Sequence, residues 1–282
     1  MRLRSVELQV TGAPAACDFL ERVWGLAAVQ GQGDRSCFRG SGDHPHILCI
    51  TAAPAPAITA ITFSGTGEEL DAVRVRAGGL TVQGPEGETY RFVPEHHAAA
   101  LAAGRDQPVE LSHVVLNATD VAASERFAVE VLGFRVSDRT RMMTFVRCNR
   151  KHHCIAYARA EAPSLNHIAF ELPDIEAVMR GIGRMRDAGY ACAWGPGRHG
   201  PGNNVFAYFI APFGAVVEYT AEVSAVGDDY KVGGPGDWQW PPGRIDHWGV
   251  SGKDTARLAA AELTFRWPAS ASGRTRAPSA RA

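Results

Sequence analysis

The chain has 282 residues, of which 45% are hydrophobic, and its formal net charge is -1. This length and composition allow one large hydrophobic core or two smaller ones. Because the charges nearly balance and no long basic block occurs, the composition excludes nucleic acid and membrane surfaces as expected partners. The N-terminus has no apolar signal-peptide core, and no apolar stretch reaches the roughly 20 residues of a membrane span.

The cysteines are scattered and include no Cys-x-x-Cys pair. This spacing favours free thiols in a reducing, cytoplasmic setting over a disulfide framework or a zinc knuckle. The six positions are Cys17, Cys37, Cys49, Cys148, Cys154 and Cys192.

The first part of the chain predicts two consecutive units, each with a strand, a helix and further strands. Glycines end both predicted helices, and a Pro/Ala-rich segment, 52–57, separates the units. The predicted elements are a strand at 4–10, a helix at 13–24 ending at Gly25, strands near 36–39 and 46–51, a strand at 58–63, a helix at 68–75 ending before Gly78, and strands at 80–83 and 89–93.

The same order recurs after a connector that contains His96 and His97, which we interpret as solvated residues. Asp120 is a candidate N-cap, and glycines again end the helices. The predicted elements are strands at 110–117, 134–137, 142–147, 153–158, 165–172, 191–194, 205–210 and 215–220, helices at 121–132 and 175–188, an irregular cover at 226–244 and a helix within 253–265.

The recurring order has a period of about 50 residues, which indicates internal repeats. We predict an α+β fold in which four βαβββ modules pair into two similar domains, and the C-terminal domain forms an open metal-containing barrel or cup. The predicted divisions are a non-catalytic domain at 1–95, a linker at 96–109, a catalytic domain at 110–222, a tail covering the active site at 223–268 and a disordered end at 269–282.

Three residues of the C-terminal domain point to a metal site. His113, His167 and Glu218 each lie in a short apolar run predicted as a strand. Two imidazoles and one carboxylate form the facial triad that binds non-haem Fe(II) and leaves positions open for substrate and dioxygen. A single strand histidine is commonly a core residue, but a buried carboxylate without a partner is costly. Three such residues at matching places in repeated units therefore favour a metal site.

The N-terminal domain lacks these ligands. The repeat alignment places Ser5, Ala60 and Arg91 at the positions of the triad. Because the same fold is predicted without the histidines and the glutamate, we interpret the triad as functional and not as a requirement for folding.

A combined pattern near the C-terminal end of this domain carries a family resemblance. Residues 198–218 contain His199, Tyr208, an Ala-Pro-Phe-Gly turn and Glu218, and His153 lies 14 residues before His167. Over roughly 110–222, with a weaker echo in 1–95, the sequence resembles the extradiol catechol dioxygenases of the vicinal oxygen chelate superfamily. Ala207 departs from the larger residue that usually precedes the tyrosine.

The resemblance implies roles for three further residues. His153 would be the acid–base residue, a role that suits an imidazole near neutral pH. His199 and Tyr208 would hydrogen-bond the substrate oxygens. His152 is the alternative to His153, because strand alternation points only one of them inward.

The implied function is an extradiol dioxygenase of aromatic hydrocarbon catabolism. It would cleave a catechol-type ring with O2 at one non-haem Fe(2+), or Mn(2+), and work as a homo-oligomer. The alternatives are a glyoxalase-type isomerase or transferase and a non-catalytic binding protein of the same superfamily. The sequence does not identify the substrate. It also leaves open whether three residues contact the substrate: Arg198, Arg244 and His247. Three tail tryptophans could form walls of the cavity or pack the tail against the domain: Trp238, Trp240 and Trp248.

Overall fold

The computed structural model describes residues 1–31, 33–101 and 106–268. Within residues 1–31 and 33–101 there are seven strands and two α-helices, and a π-helix continues the first of these helices. In chain order the elements are β1 (Arg2–Val10), α1 (Ala13–Asp18), the π-helix (Phe19–Val23), β2 (Ala27–Val29), β3 (Arg35–Arg39), β4 (Leu48–Ala52), β5 (Ala57–Gly65), α2 (Gly67–Ala77), β6 (Thr81–Gln83) and β7 (Thr89–Pro94).

The second half repeats this plan and ends in a short helix within the tail. Its elements are β8 (Glu110–Ala118), α3 (Val121–Glu130), β9 (Arg135–Arg139), β10 (Met143–Arg147), β11 (Ile155–Arg159), β12 (Ser164–Glu171), α4 (Ile175–Asp187), β13 (Trp194–Arg198), β14 (Val205–Ile210), β15 (Val216–Ala221) and α5 (Thr255–Ala261).

The strands form two open sheets, which confirms the predicted α+β fold. The first sheet has the order β2-β3-β4-β1-β5-β7-β6 and the second β13-β14-β15-β12-β8-β11-β10-β9. In each sheet two units meet through their first strands, which pair antiparallel: β1 with β5, and β8 with β12. The predicted boundaries of separate domains remain a prediction.

The second unit departs from the predicted module. Only β6 and β7 follow its helix, as the strands predicted at 80–83 and 89–93 indicate, so this unit has one strand fewer than the βαβββ pattern. The reason is length, because a tight turn at Gly84–Gly87 joins β6 directly to β7 and leaves no residues for a third strand.

The strand registers give the same correspondence between the halves as the sequence alignment. In both central strand pairs a bulge follows an equivalent residue of the first strand, which is Glu7 in β1 and Val115 in β8. The matching pairs are Ser5–Thr62 with His113–Ala169, Glu7–Ala60 with Val115–His167, and Thr62–Arg91 with Ala169–Glu218.

Local capping defines the helix ends. Thr66 and Glu69 form a reciprocal capping box at α2, and Gly78 ends that helix with φ 74°. The predicted N-cap Asp120 accepts a hydrogen bond from the Ala123 N–H, although α3 ends two residues before the predicted 132. These residues therefore satisfy backbone groups at the helix ends.

The first helix is shorter than the predicted 13–24, because it changes to a π-helix after Asp18. The Trp24 N–H donates to the Phe19 oxygen at 2.8 Å. The wider turn places Trp24 against Tyr219 of the other half, with ring centroids 3.7 Å apart, and the Tyr219 hydroxyl donates to the Trp24 oxygen. Trp24 therefore connects the two sheets.

The prediction that all six cysteines are free was wrong for one pair. Cys37 and Cys49 form a disulfide, while Cys17, Cys148, Cys154 and Cys192 are free. The two bonded residues face each other on the antiparallel strands β3 and β4. Sequence spacing alone hides this proximity, because only the strand register brings the two side chains together.

The tail runs over the second sheet. Backbone bridges join Lys151 to Ala225 and Asp138 to Gly233, so its first part is irregular but anchored. Its helix, α5, covers only seven residues of the predicted 253–265. The predicted disordered end, 269–282, and residues 102–105 of the linker lie outside the described part. Among the helices of the described ranges, none has the length and apolar character needed to cross a bilayer.

Candidate metal centre and active site

The three predicted ligands lie on adjacent strands. His113 is on β8, His167 on β12 and Glu218 on β15, and all three are buried. The Glu218 Oε2 atom is 3.3 Å from His113 Nε2 and 3.1 Å from His167 Nε2. Because neighbouring strands are only about 4.8 Å apart, the three side chains converge on one point.

These side chains fit a divalent transition metal. His167 Nε2 and Glu218 Oε2 are buried without a hydrogen-bond partner, which costs free energy unless another group, such as a metal, interacts with them. Ligand atoms about 2.1 Å from one ion and at right angles to each other lie about 3 Å apart. The observed separations match this spacing, so the triad could hold a metal.

Neighbouring polar groups orient both imidazoles. His167 Nδ1 lies 2.7 Å from Asn166 Oδ1, and His113 Nδ1 lies 3.0 Å from Ser112 Oγ. Because each oxygen can accept a proton from Nδ1, each Nε2 is left with a lone pair for a metal.

Burial and charge keep the ligands in their metal-binding forms. Burial raises the pKa of Glu218, but the facing His113 and His167 lower it further, and the net pKa lies below its usual range. Burial lowers the pKa of His113 despite the attraction of Glu218. At neutral pH Glu218 is therefore a carboxylate and His113 a neutral imidazole.

His153, and not His152, faces the site. The His153 ring lies 4.2 Å from the His113 ring and lines the cavity above the triad. Burial lowers the pKa of His153 well below its usual value, and His113 and His152 lower it further. His152 turns the other way, and its Nε2 lies 2.5 Å from Asp138 Oδ2.

His199 and Tyr208 form a second polar pair at the site. His199 Nε2 lies 2.9 Å from the Tyr208 hydroxyl, and the Tyr208 ring lies 4.9 Å from the His167 ring. Burial lowers the pKa of His199 to about 3. Burial and then the Glu218 charge raise the pKa of Tyr208 well above its usual value, so its hydroxyl keeps its proton at neutral pH.

These groups line one cavity of about 420 Å³, within the size range of small-molecule sites. Strands β8, β10, β11, β12, β13 and β14 all contribute to its wall, which makes this face of the sheet concave. Its apolar lining includes Val115, Met142, Met143, Phe145, Ala158, Trp194, Ile245 and Leu258, and its further polar lining includes Thr140, Arg159, Asn166, Lys253 and Glu262.

The tail tryptophans divide between wall and packing. Trp240 lines the cavity. Trp238 donates from Nε1 to the Arg139 oxygen at 3.0 Å, and Trp248 packs under the Arg198 guanidinium. Both predicted roles therefore occur, each in a different residue.

The other open candidates lie away from the cavity lining. Arg198 pairs with Glu222 and donates to the Asn203 oxygen. Arg244 and His247 are exposed. The linker histidines are also apart from the site: His96 is exposed, and His97 pairs with Asp43.

Sequence reasoning missed several residues around the site. Asp138 is fully buried behind His152. Lys253 enters the cavity from the tail with its Nζ 4.8 Å from the centre of the Trp194 ring. Asn204 donates from Nδ2 to Glu218 Oε1 at 3.4 Å. An acidic residue directly after the strand predicted at 134–137 was the available signal for Asp138, whereas no local pattern distinguishes the other two.

A family model matches the part of the chain that contains the triad. A family profile described as the Glyoxalase/Bleomycin resistance protein/Dioxygenase superfamily matches residues 110–219. The chain is 33% identical over 139 residues to metapyrocatechase 2 of Cupriavidus necator, which covers 48% of this chain and 41% of that protein. It is 30% identical over 129 residues to 2,2',3-trihydroxybiphenyl dioxygenase of Sphingomonas paucimobilis, which covers 42% and 43%. The chain thus spans less than half the length of these relatives.

Solved structures share the whole architecture. The Mn(II)-bound glyoxalase from Novosphingobium aromaticivorans has a TM-score of 0.81 at 30% identity and covers 91% of this chain and 93% of its own. A variant of homoprotocatechuate 2,3-dioxygenase from B. fuscum has a TM-score of 0.77 at 23% identity and covers 88% and 79%. At that lower identity the second likeness shows the fold alone.

Proposed function

The chain belongs to the Glyoxalase/Bleomycin resistance protein/Dioxygenase superfamily, and from that premise we propose that it is an extradiol dioxygenase of aromatic compound catabolism. It would cleave a catechol-type ring with O2, with Fe(2+) or Mn(2+) held by His113, His167 and Glu218. One observation carries the proposal: His153 lies beside His113 and the His199–Tyr208 pair lies beside His167, all in one cavity. The bound metal would supply coordination positions for the two catechol oxygens and for dioxygen.

The His199–Tyr208 pair would bind and deprotonate the catechol. The Tyr208 hydroxyl can donate to a substrate oxygen, because burial keeps it protonated. His199 is neutral at neutral pH, so the 2.9 Å contact with Tyr208 gives a path by which it can accept a proton. Proton transfers of this kind contribute about 10²–10⁴-fold to a rate.

His153 would return a proton on the other side of the triad. Its neutral ring contacts His113, whereas Tyr208 contacts His167, so the two groups lie beside different residues of the triad. Phe145 and Trp194 give apolar walls to the cavity in which this exchange would take place. Separate groups on the two sides allow one proton to leave the substrate and another to be delivered without competition.

A glyoxalase-type isomerase is the second candidate, because the chain is 30% identical to the Mn(II)-bound glyoxalase over nearly its whole length. Enzymes of that type usually provide four ligands. In the described ranges, the metal-competent group here contains three residues. The three-residue set therefore favours the dioxygenase.

Parallel assays separate the two candidates. Protein purified without oxygen and loaded with Fe(2+) or Mn(2+) should consume O2 with at least one of plain, alkyl, aryl or carboxylated catechols and form a coloured ring-fission product. The same protein should not isomerise the thiol adduct of a 2-oxoaldehyde. Isomerisation without oxygen uptake on any catechol would replace the proposal with the second candidate.

The assembly and location are expectations from the resemblance. A homo-oligomer is expected, and light scattering on the metal-loaded protein measures its mass. A cytoplasmic location likewise remains a prediction.

A further inference from the structure

A buried polar chain lies behind His153, on the side away from the cavity. His152 and Asp138 are 1% and 0% exposed. His152 Nδ1 lies 3.0 Å from His153 Nδ1, and His152 Nε2 lies 2.5 Å from Asp138 Oδ2. The proton transfers described above use neither residue. Burying an imidazole and a carboxylate nevertheless costs free energy, so the pair calls for an explanation.

The tail supplies two donors to Asp138. The Gly233 N–H donates to Oδ1 at 2.7 Å, and the Tyr230 hydroxyl donates to Oδ2 at 3.0 Å. An ionised carboxylate can only accept hydrogen bonds. Because the tail offers two donors to Asp138, the ionised form of Asp138 matches all of its contacts. His152 Nε2 therefore carries a proton and donates it to Asp138.

This arrangement fixes the proton on the next ring. With His152 in its neutral form, the proton on Nε2 leaves Nδ1 as an acceptor. The 3.0 Å contact between His152 and His153 then requires His153 Nδ1 to be the donor. His153 Nδ1 carries a hydrogen both when the ring is neutral and when it is protonated, so only Nε2 gains or loses a proton.

We propose that Asp138 and His152 are positioning residues that hold His153 in the tautomer with a protonated Nδ1, so that His153 exchanges protons with substrate at Nε2. The inference rests on the proposed function, in which His153 moves a proton. A buried carboxylate that orients a catalytic imidazole is the logic of the serine-protease triad, where the Asp→Asn change leaves the wrong tautomer and lowers kcat about 10⁴-fold.

The first test reads the tautomer and does not depend on turnover. Long-range ¹H–¹⁵N spectra of the full-length Zn(2+)-loaded protein should show His153 protonated at Nδ1. Asp138→Asn should shift His153 toward the Nε2-protonated form, because an asparagine amide can donate to His152 and reverse both hydrogen bonds. An unchanged His153 tautomer in Asp138→Asn would overturn the proposal.

The second test uses kinetics and matched variants. Asp138→Asn should lower kcat at least about 10²-fold, while the catechol KM and the bound metal stay within a few-fold. His152→Asn, whose Oδ1 can still accept from His153 Nδ1, should retain more activity than His152→Phe. Tyr230→Phe is the control, since it removes one tail anchor and leaves the Asp138–His152 contact.

Two outcomes count against the inference. Equal activity in Asp138→Asn and Tyr230→Phe would mean that Asp138 only anchors the tail. Loss of metal together with activity would mean that the chain only supports the ligands. If the wild-type protein consumes no oxygen with any catechol, the proposed function fails, while the spectra still decide the tautomer of His153.

Discussion

The two sheets share one strand plan but carry different chemistry on matching strands. In the first sheet Glu7 Oε1 lies 2.7 Å from Arg91 Nη1 and 3.2 Å from Arg35 Nη1. In the second sheet Glu218 instead faces two imidazoles. Guanidinium groups stay protonated and offer no lone pair, so the first cluster is an ion-pair network and cannot bind a metal. The backbone therefore permits a metal site, and the side chains decide whether it forms.

The comparison extends to the proposed acid–base residue. Val6 pairs with Leu48 in the first sheet as Val114 pairs with Ile155 in the second. His46 lies two residues before Leu48, and His153 lies two residues before Ile155, so the two histidines occupy matching positions. Its ring nitrogens lie 3.4–3.5 Å from Arg4 Nη2, and burial followed by the Arg4 charge lowers its pKa to about 4. The matching position of the first sheet therefore places a histidine beside an arginine, whereas His153 lies beside His113 of the triad.

The largest expected effect comes from removing the carboxylate ligand. Glu218→Gln keeps the shape but removes the negative charge that faces both imidazoles. We expect metal affinity to fall by at least about 100-fold, with turnover falling alongside it. Metal analysis after dialysis measures the effect, and Glu7→Gln in the first sheet is the control. Stoichiometric metal in Glu218→Gln would show that the ligand is misassigned.

The next effect separates the two equivalent histidines. His153→Phe should retain the metal and lower kcat by about 10²–10⁴-fold, because the ring that returns the proton is lost. His46→Phe at the matching position should leave kcat unchanged. Steady-state oxygen uptake with metal analysis of the same samples makes the measurement. Equal losses in both variants would indicate a packing effect common to the two sheets.

A structural prediction tests the contact that joins the sheets. Trp24→Ala removes a fully buried ring stacked on Tyr219 and should lower the free energy of unfolding by about 3–5 kcal/mol. Tyr219→Phe keeps the stack but loses the hydroxyl contacts to Trp24 and Arg184, and should cost about 1–2 kcal/mol. Denaturant titration gives both values. A smaller loss for Trp24→Ala than for Tyr219→Phe would contradict this account.

The smallest effect is a pH dependence located in the first half of the chain. Burial and then Arg2 lower the pKa of His44 to about 4 in the folded protein, against about 6.5 in an unfolded chain. Between these values only the unfolded chain binds the proton, so stability is intact above pH 6.5 and falls as the pH drops towards 4. At pH 5, His44→Asn should reduce this loss by about 2 kcal/mol. Unfolding measured at neutral and acidic pH tests it, and identical losses in both proteins would exclude His44.

Periodicity and composition were enough to predict most of the fold. Alternating apolar residues located the strands, and Gly78 and Asp120 marked helix ends because their conformations and side chains satisfy the end groups locally. The same local logic failed where a contact was distant in sequence. The Cys37–Cys49 disulfide, for example, needed the register of β3 and β4.

By itself the sequence determined the repeat, the three candidate ligands and their absence from the first half, because these depend on residue type and spacing along single strands. Only the tertiary structure decided which of His152 and His153 faces the cavity, because that depends on how the segment before β11 enters the sheet. It also brought Asp138, Tyr230 and Lys253 to the site from distant segments, two of them in the tail. Such contacts form through long-range packing, which no local pattern in the chain records.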